Sequence, residues 1–178
     1  GNVLSLQDQI RFQREATMMS QLLHPGTVTV FELGESEGRA YIVMEYVDGP
    51  NLREYVKSRG GRLPLSDILE VLIQSAEALE YVHGHNIVHR DIKPQNILVS
   101  AIQDSLDSKF QIKIVDFGVA RLNDPVRQKG ESTRGRSEVV GTLNYMAPES
   151  TGMVDWPLDA RADIYSLGIV AYELIVGR

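Results

Sequence analysis

His89-Arg90-Asp91-Ile92-Lys93-Pro94-Gln95-Asn96 is the stretch on which the reading of this chain turns. It places His-Arg-Asp ahead of an Asn that stands five positions beyond the Asp. Twenty residues after Asn96 comes Asp116-Phe117-Gly118, directly behind the strand-like run Ile112 to Val115, and Ala147-Pro148-Glu149 follows. Any one of these triplets occurs often by chance, and a lone Asp is usually a capped turn or a surface charge. Three in this order, the first behind a long helical segment and the second behind a strand, form a joint pattern that chance does not supply.

Working outward, Ser66 can cap a long helix whose apolar face is Ile68, Leu69, Leu72, Ile73, Ala76, Leu79 and Val82. Ile97 to Val99 and Ile112 to Val115 are short apolar strands, and Ser100 to Phe110 between them reads as an expanded surface loop. Asn123 to Glu138 is polar and without periodicity. Arg161 to Val176 is a helix with apolar residues on nearly every side, hence expected to be buried, and Gly177 closes it. Upstream, Ser5-Leu6-Gln7-Asp8 starts a helix carrying Ile10, Phe12, Ala16, Met19, Leu22 and Leu23, which His24-Pro25-Gly26 stops. Thr27 to Leu33 and Tyr41 to Tyr46 read as a hairpin around a turn at Gly34 to Arg39. Asp48-Gly49-Pro50 breaks the pattern, and Asn51 to Lys57 is a short helix. That break divides 1–47, with a hairpin and one helix, from the mostly helical 48–178.

Composition narrows the classes. With 18 basic and 24 acidic residues the net charge is -6, so no polybasic nucleic-acid binder is indicated. The absence of cysteine excludes disulfide frameworks, Cys-based zinc sites and thiol nucleophiles. The longest apolar stretch, Leu167 to Val176, is interrupted and far too short to span a bilayer, and Gly1-Asn2-Val3-Leu4-Ser5 does not open a signal peptide. His83, His85 and His89 lack the converging ligands of a zinc site, and the loop motif explains His89 better.

With these residues in view, the chain resembles the eukaryotic-type protein kinases, the Ser/Thr branch in particular. The resemblance implies an α+β, two-lobe protein-kinase-like fold truncated at both ends, with 1–47 the remnant of the N-terminal lobe and hinge and 48–178 part of the C-terminal lobe. It implies transfer of the ATP γ-phosphate to Ser or Thr hydroxyls of protein substrates, with ATP and magnesium (Mg2+) as cofactors. Phosphoryl transfer needs a carboxylate to orient the attacking hydroxyl, metal ligands on the triphosphate and a cation near the transferring group. Asp91 resembles the base, Asn96 and Asp116 the magnesium ligands, and Lys93 the phosphate contact; Lys93 also fits Ser/Thr rather than tyrosine kinases. Gly141 to Glu149 resembles the substrate-binding loop, with Thr142 near Asp91 and Lys93. Glu15 resembles the helix-C glutamate that pairs with the ATP-binding lysine, Met44 the gatekeeper, Glu45 to Val47 the hinge, and Leu98 the floor of the adenine pocket. Met19, Val30, His89 and Phe117 resemble the apolar column behind the site. Asp163 resembles the aspartate that holds the His-Arg-Asp backbone from below. Val119 to Leu143 resembles an activation loop, with Ser132, Thr133 and Ser137 as phosphorylation candidates and Arg90 as the cation that receives the phosphate.

The chain departs from the family at its ends. It holds no Gly-x-Gly-x-x-Gly and no lysine before Lys57, so Glu15 has no upstream partner. The family's later helices are also missing after Arg178. A partial catalytic domain of an active kinase is expected, inactive by itself; the alternative is a non-catalytic pseudokinase or kinase-like binding scaffold. Asn51 and Gln95 are neutral where kinases selecting basic peptides carry acids, which leaves Glu173 as one acid for such a role. The expected setting is the cytoplasm, with self-association for phosphorylation in trans.

Overall fold

The computed structural model describes residues 20–36, 39–101, 110–117, 143–151, 153–154 and 156–177. Within them the chain forms strand β1 (Val30–Ser36), strand β2 (Arg39–Met44), helix α1 (Leu52–Ser58), helix α2 (Leu65–Gly84), strand β3 (Ile97–Ala101), strand β4 (Phe110–Ile114) and helix α3 (Arg161–Val176). Short 3-10 turns occupy Pro94–Asn96 and Pro148–Thr151. The expected first helix, with Glu15 and Met19, lies outside the described residues apart from its last positions. There Ser20 and Gln21 are in a turn and Leu22 is buried.

β1 and β2 pair antiparallel from Val30↔Met44 to Ser36↔Arg39, with an irregularity between Val30 and Glu32. The strands run through the stretch expected to turn: Gly34, Glu35 and Ser36 pair with Tyr41, Ala40 and Arg39. Gly34 permits this, because a Cβ there would lie 2.3 Å from the Tyr41 ring. Residues 27–29, expected to belong to β1, instead connect toward β4, with Thr27 in a parallel bridge to Ile114.

α1 is closed by a capping box: Asn51 accepts from Glu54 N–H at 3.0 Å, and Asn51 N–H reaches the Glu54 carboxylate at 3.4 Å. α2 begins two residues earlier than a Ser66 cap requires. Pro64 holds the cap position without a side-chain bond, and Ser66 donates its hydroxyl to Asp67 at 3.2 Å. Proline is preorganised for a helix start, which displaces the serine into the first turn. The buried face of α2 is also rotated from the expected one. Ile68, Val71, Ser75, Ala78, Leu79 and Val82 are inside, whereas Leu69 and Ile73 are 50% and 54% exposed. The helix packs on both α3 and β4, and small residues at Ser75 and Ala78 let the backbone come close. A Cβ at Gly26 would meet that of Ala78 at 2.8 Å.

β3 and β4 pair from Ile97↔Ile114 to Ala101↔Phe110. The expanded loop is therefore shorter than expected, since Ser100, Ala101 and Phe110 are strand residues. Ile97, Val99, Phe110, Ile112 and Ile114 point into the core, each worth roughly 1.5–3 kcal/mol of burial. α3 has the bounds and the left-handed Gly177 cap that the sequence indicates. Its expected burial on all sides is not found: Ile164, Tyr165, Tyr172 and Ile175 are exposed, and the core contacts come from Ala162, Leu167, Val170 and Leu174. A helix in contact with α2 along one face buries one face only.

Candidate active site

The loop after α2 turns at Asn86, a left-handed residue, and delivers His89 into the interior with no exposed surface. Arg90 and Asp116 also have positive φ, 67° and 59°. For non-glycine residues this conformation costs on the order of 1–3 kcal/mol and persists only where surrounding contacts enforce it. At Arg90 those contacts come from α3. The buried Asp163 carboxylate accepts the N–H of His89 at 2.8 Å and of Arg90 at 2.7 Å, as the resemblance implied. It also accepts from His83 Nε2 at 2.8 Å, a partner that sequence reasoning missed. Nothing local marks His83, because its partner lies 80 residues away along the chain.

The bonds of His89 define its tautomer. Its Nε2 lies 2.9 Å from the Val115 carbonyl, which can only accept, so Nε2 carries the proton. Nδ1 then accepts the Asp91 N–H at 3.2 Å. Burial pushes this imidazole below its ordinary value, against smaller opposing effects of Asp163, the Val115 bond, Asp91 and Asp116. A neutral His89 thus ties the Asp91 backbone to the strand that leads to Asp116. The Phe117 ring packs on it at 4.8 Å between centroids.

Asp91 Oδ2 receives Lys93 Nζ at 2.8 Å and Asn96 Nδ2 at 3.1 Å, and Asn96 Nδ2 also donates to the Asp91 carbonyl at 2.8 Å. Pro94–Asn96 forms a 3-10 turn that folds Asn96 back toward Asp91. The antiparallel register then brings the other end of the hairpin alongside: Val115 N–H donates to the Asn96 carbonyl at 2.9 Å, so Asp116 follows immediately beside Asn96. Because Asn96 spends its side-chain N–H groups on Asp91 and its backbone carbonyl on Val115, the side-chain oxygen Oδ1 is the atom that could serve a ligand. An amide oxygen and the exposed Asp116 carboxylate are a donor set suited to magnesium, a hard cation that keeps several waters and takes few protein oxygens. No cluster of three or more His, Cys, Asp or Glu suited to a metal occurs among the described residues.

Met44 ends β2 and is partly exposed. The segment that follows runs against β3: Asn51 bridges to Leu98, and Val99 N–H donates to the Pro50 carbonyl at 2.9 Å. Val47 and Leu98 both pack on the core. Glu45 is held by Lys113 at 2.9 Å, an ion pair the sequence did not announce beyond a lone charge on the outer face of β4. The Tyr145 hydroxyl donates to the Glu173 carboxylate, and burial followed by that bond pushes the phenol far above its ordinary value. Glu173 is thus engaged by the chain itself. Thr142, Ser132, Thr133 and Ser137 lie outside the described residues, as does Glu15.

An Asp–Lys–Asn cluster on a loop braced from a helix, with a second Asp delivered by an adjoining hairpin, defines the protein-kinase class of fold. The chain belongs to that family: the protein kinase domain model matches residues 3–178. It is 41% identical over 173 residues to the serine/threonine-protein kinase PknB of Mycobacterium tuberculosis, covering 95% of this chain and 26% of PknB. It is 38% identical over 170 residues to the serine/threonine-protein kinase PrkC of Bacillus subtilis, covering 94% of this chain and 24% of PrkC. Among solved structures it resembles the Mycobacterium tuberculosis PknI kinase domain with a TM-score of 0.71 and 29% identity, over 97% of this chain and 59% of that one. The chain therefore spans about a quarter of the length of these curated relatives.

Proposed function

We propose that this chain is part of a protein serine/threonine kinase that transfers the ATP γ-phosphate to Ser or Thr hydroxyls. The observation that carries the reading is the shared use of Asp91 Oδ2 by Lys93 and Asn96, with Asp116 brought beside Asn96 by the β3–β4 register. Asp91 orients the incoming hydroxyl and takes its proton. Lys93, beside that carboxylate, offsets the negative charge of the transferring group. Asn96 and Asp116 would hold magnesium, which when bound neutralises the triphosphate. Met44, the Glu45–Val47 backbone and Leu98 would hold adenine, and Thr142 would support the peptide beside Asp91. The names of the relatives support this reading. ATP as the donor places the catalytic part in the cytoplasm; among the described residues no helix is long and apolar enough to cross a membrane.

Regulation follows from the same loop. Arg90 Nε is buried without a hydrogen-bond partner, which suits it to receive a phosphate carried on Ser132, Thr133 or Ser137, placed by self-association in trans.

The test is phosphate transfer from radiolabelled ATP by the full-length protein. Asp91→Asn is expected to lower kcat about 100- to 10,000-fold with magnesium–ATP binding retained. Nucleotide binding without any transfer by the unmodified protein would instead assign a kinase-like scaffold.

A further inference from the structure

Three backbone segments meet between the hinge and the strand that delivers Asp116. Glu45 N–H donates to the Thr29 carbonyl at 2.8 Å on one side of residues 26–29. On the other side, Val28 N–H donates to Ile114 O at 3.1 Å and Ile114 N–H to Gly26 O at 2.8 Å. Residues 26–29 are thus a ribbon between the hinge and β4. One side-chain pair crosses it. Glu45 Oε2 accepts Thr29 N–H at 3.2 Å and Lys113 Nζ at 2.9 Å, and Lys113 Nζ also donates to the Thr27 carbonyl at 3.3 Å.

We propose that Glu45 and Lys113 are a positioning pair that fixes the nucleotide-holding hinge relative to Asp116 and so sets the affinity for ATP. The inference rests on the kinase reading above. The pair is built for such a task. Its side chains are 29% and 15% exposed, against 46% and 74% for the surface pair Asp159–Arg161. Solvent therefore screens it less, and its bonds to two ribbon groups restrict the geometry further. Burial alone would raise the Glu45 carboxyl, but the bonds from Lys113 and Thr29 outweigh it and hold the group below its usual value. Lys113 lies on β4 three residues before Asp116, so a shift there passes directly to that carboxylate. The pair touches neither the reacting atoms nor the Asp91 cluster, so its loss should act on binding more than on the chemical step.

The experiment measures kcat and KM for ATP in the full-length protein, together with direct titration of ADP. Coupling between sites typically corresponds to factors of about 5–150, and a partly exposed pair belongs near the lower end. Lys113→Met should raise KM for ATP and weaken ADP binding about 5- to 10-fold, with kcat changed less than about threefold. The reciprocal swap, Glu45→Lys with Lys113→Glu, should restore at least half of that loss in affinity. An unchanged KM in Lys113→Met, with the unmodified protein active, overturns the inference alone. So does a parallel fall of kcat, affinity and thermal stability that the swap does not rescue, since that marks a merely structural bond. If the unmodified protein transfers no phosphate, or Asp91→Asn is equally active, the kinase reading fails and takes this inference with it.

Discussion

Arg90 sits in a backbone conformation that its own chemistry disfavours, and one carboxylate keeps it there. Asp163 accepts from His89 N–H, Arg90 N–H and His83 Nε2. Asp163→Asn replaces one acceptor oxygen by a donor, so at least one buried N–H loses its partner. A loss of at least about 1–3 kcal/mol is expected from denaturant unfolding of the full-length protein, with kcat falling as Arg90 relaxes and Asp91 moves with it. An unchanged unfolding midpoint would show that the loop holds its own strained geometry. His89 gives a pH dependence. Its folded value is depressed by burial, so its stabilising contribution is full above the unfolded value near 6.5. It is lost as the pH falls from there through the lower folded value. The slope in that window is about 1.4 kcal/mol per pH unit for one group. Chemical denaturation between pH 7 and 5 should reveal this slope, and its removal in His89→Phe would assign it.

At the scale of elements, α1 and the segment leading into it depend on two local devices. Asn51 both caps α1 and bridges to Leu98, so Asn51→Ala should cost about 1 kcal/mol from the cap. Gly49 approaches β3 so closely that a Cβ would lie 2.1 Å from the Val99 carbonyl oxygen. Backbone cannot yield as a flexible side chain does. Gly49→Ala should therefore force this segment from β3 and lower the melting temperature, at a cost of about 1–3 kcal/mol. It should also weaken ADP binding in proportion, because the adenine site proposed for Leu98 and Glu45–Val47 opens. Retained affinity in a destabilised Gly49→Ala protein would detach the adenine site from this contact.

At the scale of the whole molecule, α3 and α2 leave apolar side chains in water. Ile164, Tyr165, Tyr172 and Ile175 on α3 and Leu69 and Ile73 on α2 are exposed. Exposed apolar patches drive association. The 178-residue chain expressed alone is expected to self-associate at micromolar concentration, read by light scattering and dye binding. Ile164→Glu with Ile175→Glu should reduce that association without unfolding α3, since neither residue contributes to the core. A monodisperse isolated chain would contradict the prediction.

The sequence by itself determined what rests on neighbours along the chain. The period of Arg161–Val176, the glycine after it, the capping box at Asn51 and the strands flanking the Asp116 motif are encoded within a few residues. So was the kinase class, because the spacing of Asp91, Lys93, Asn96 and Asp116 spans one loop and one hairpin. Only the tertiary structure decided which face of α2 is buried, because apolar residues lie on several sides and the choice belongs to α3 and β4. It likewise decided the pairing of Glu45 with Lys113 and of His83 with Asp163. These partners are 68 and 80 residues apart, and no local propensity specifies a contact that forms only when two distant segments pack.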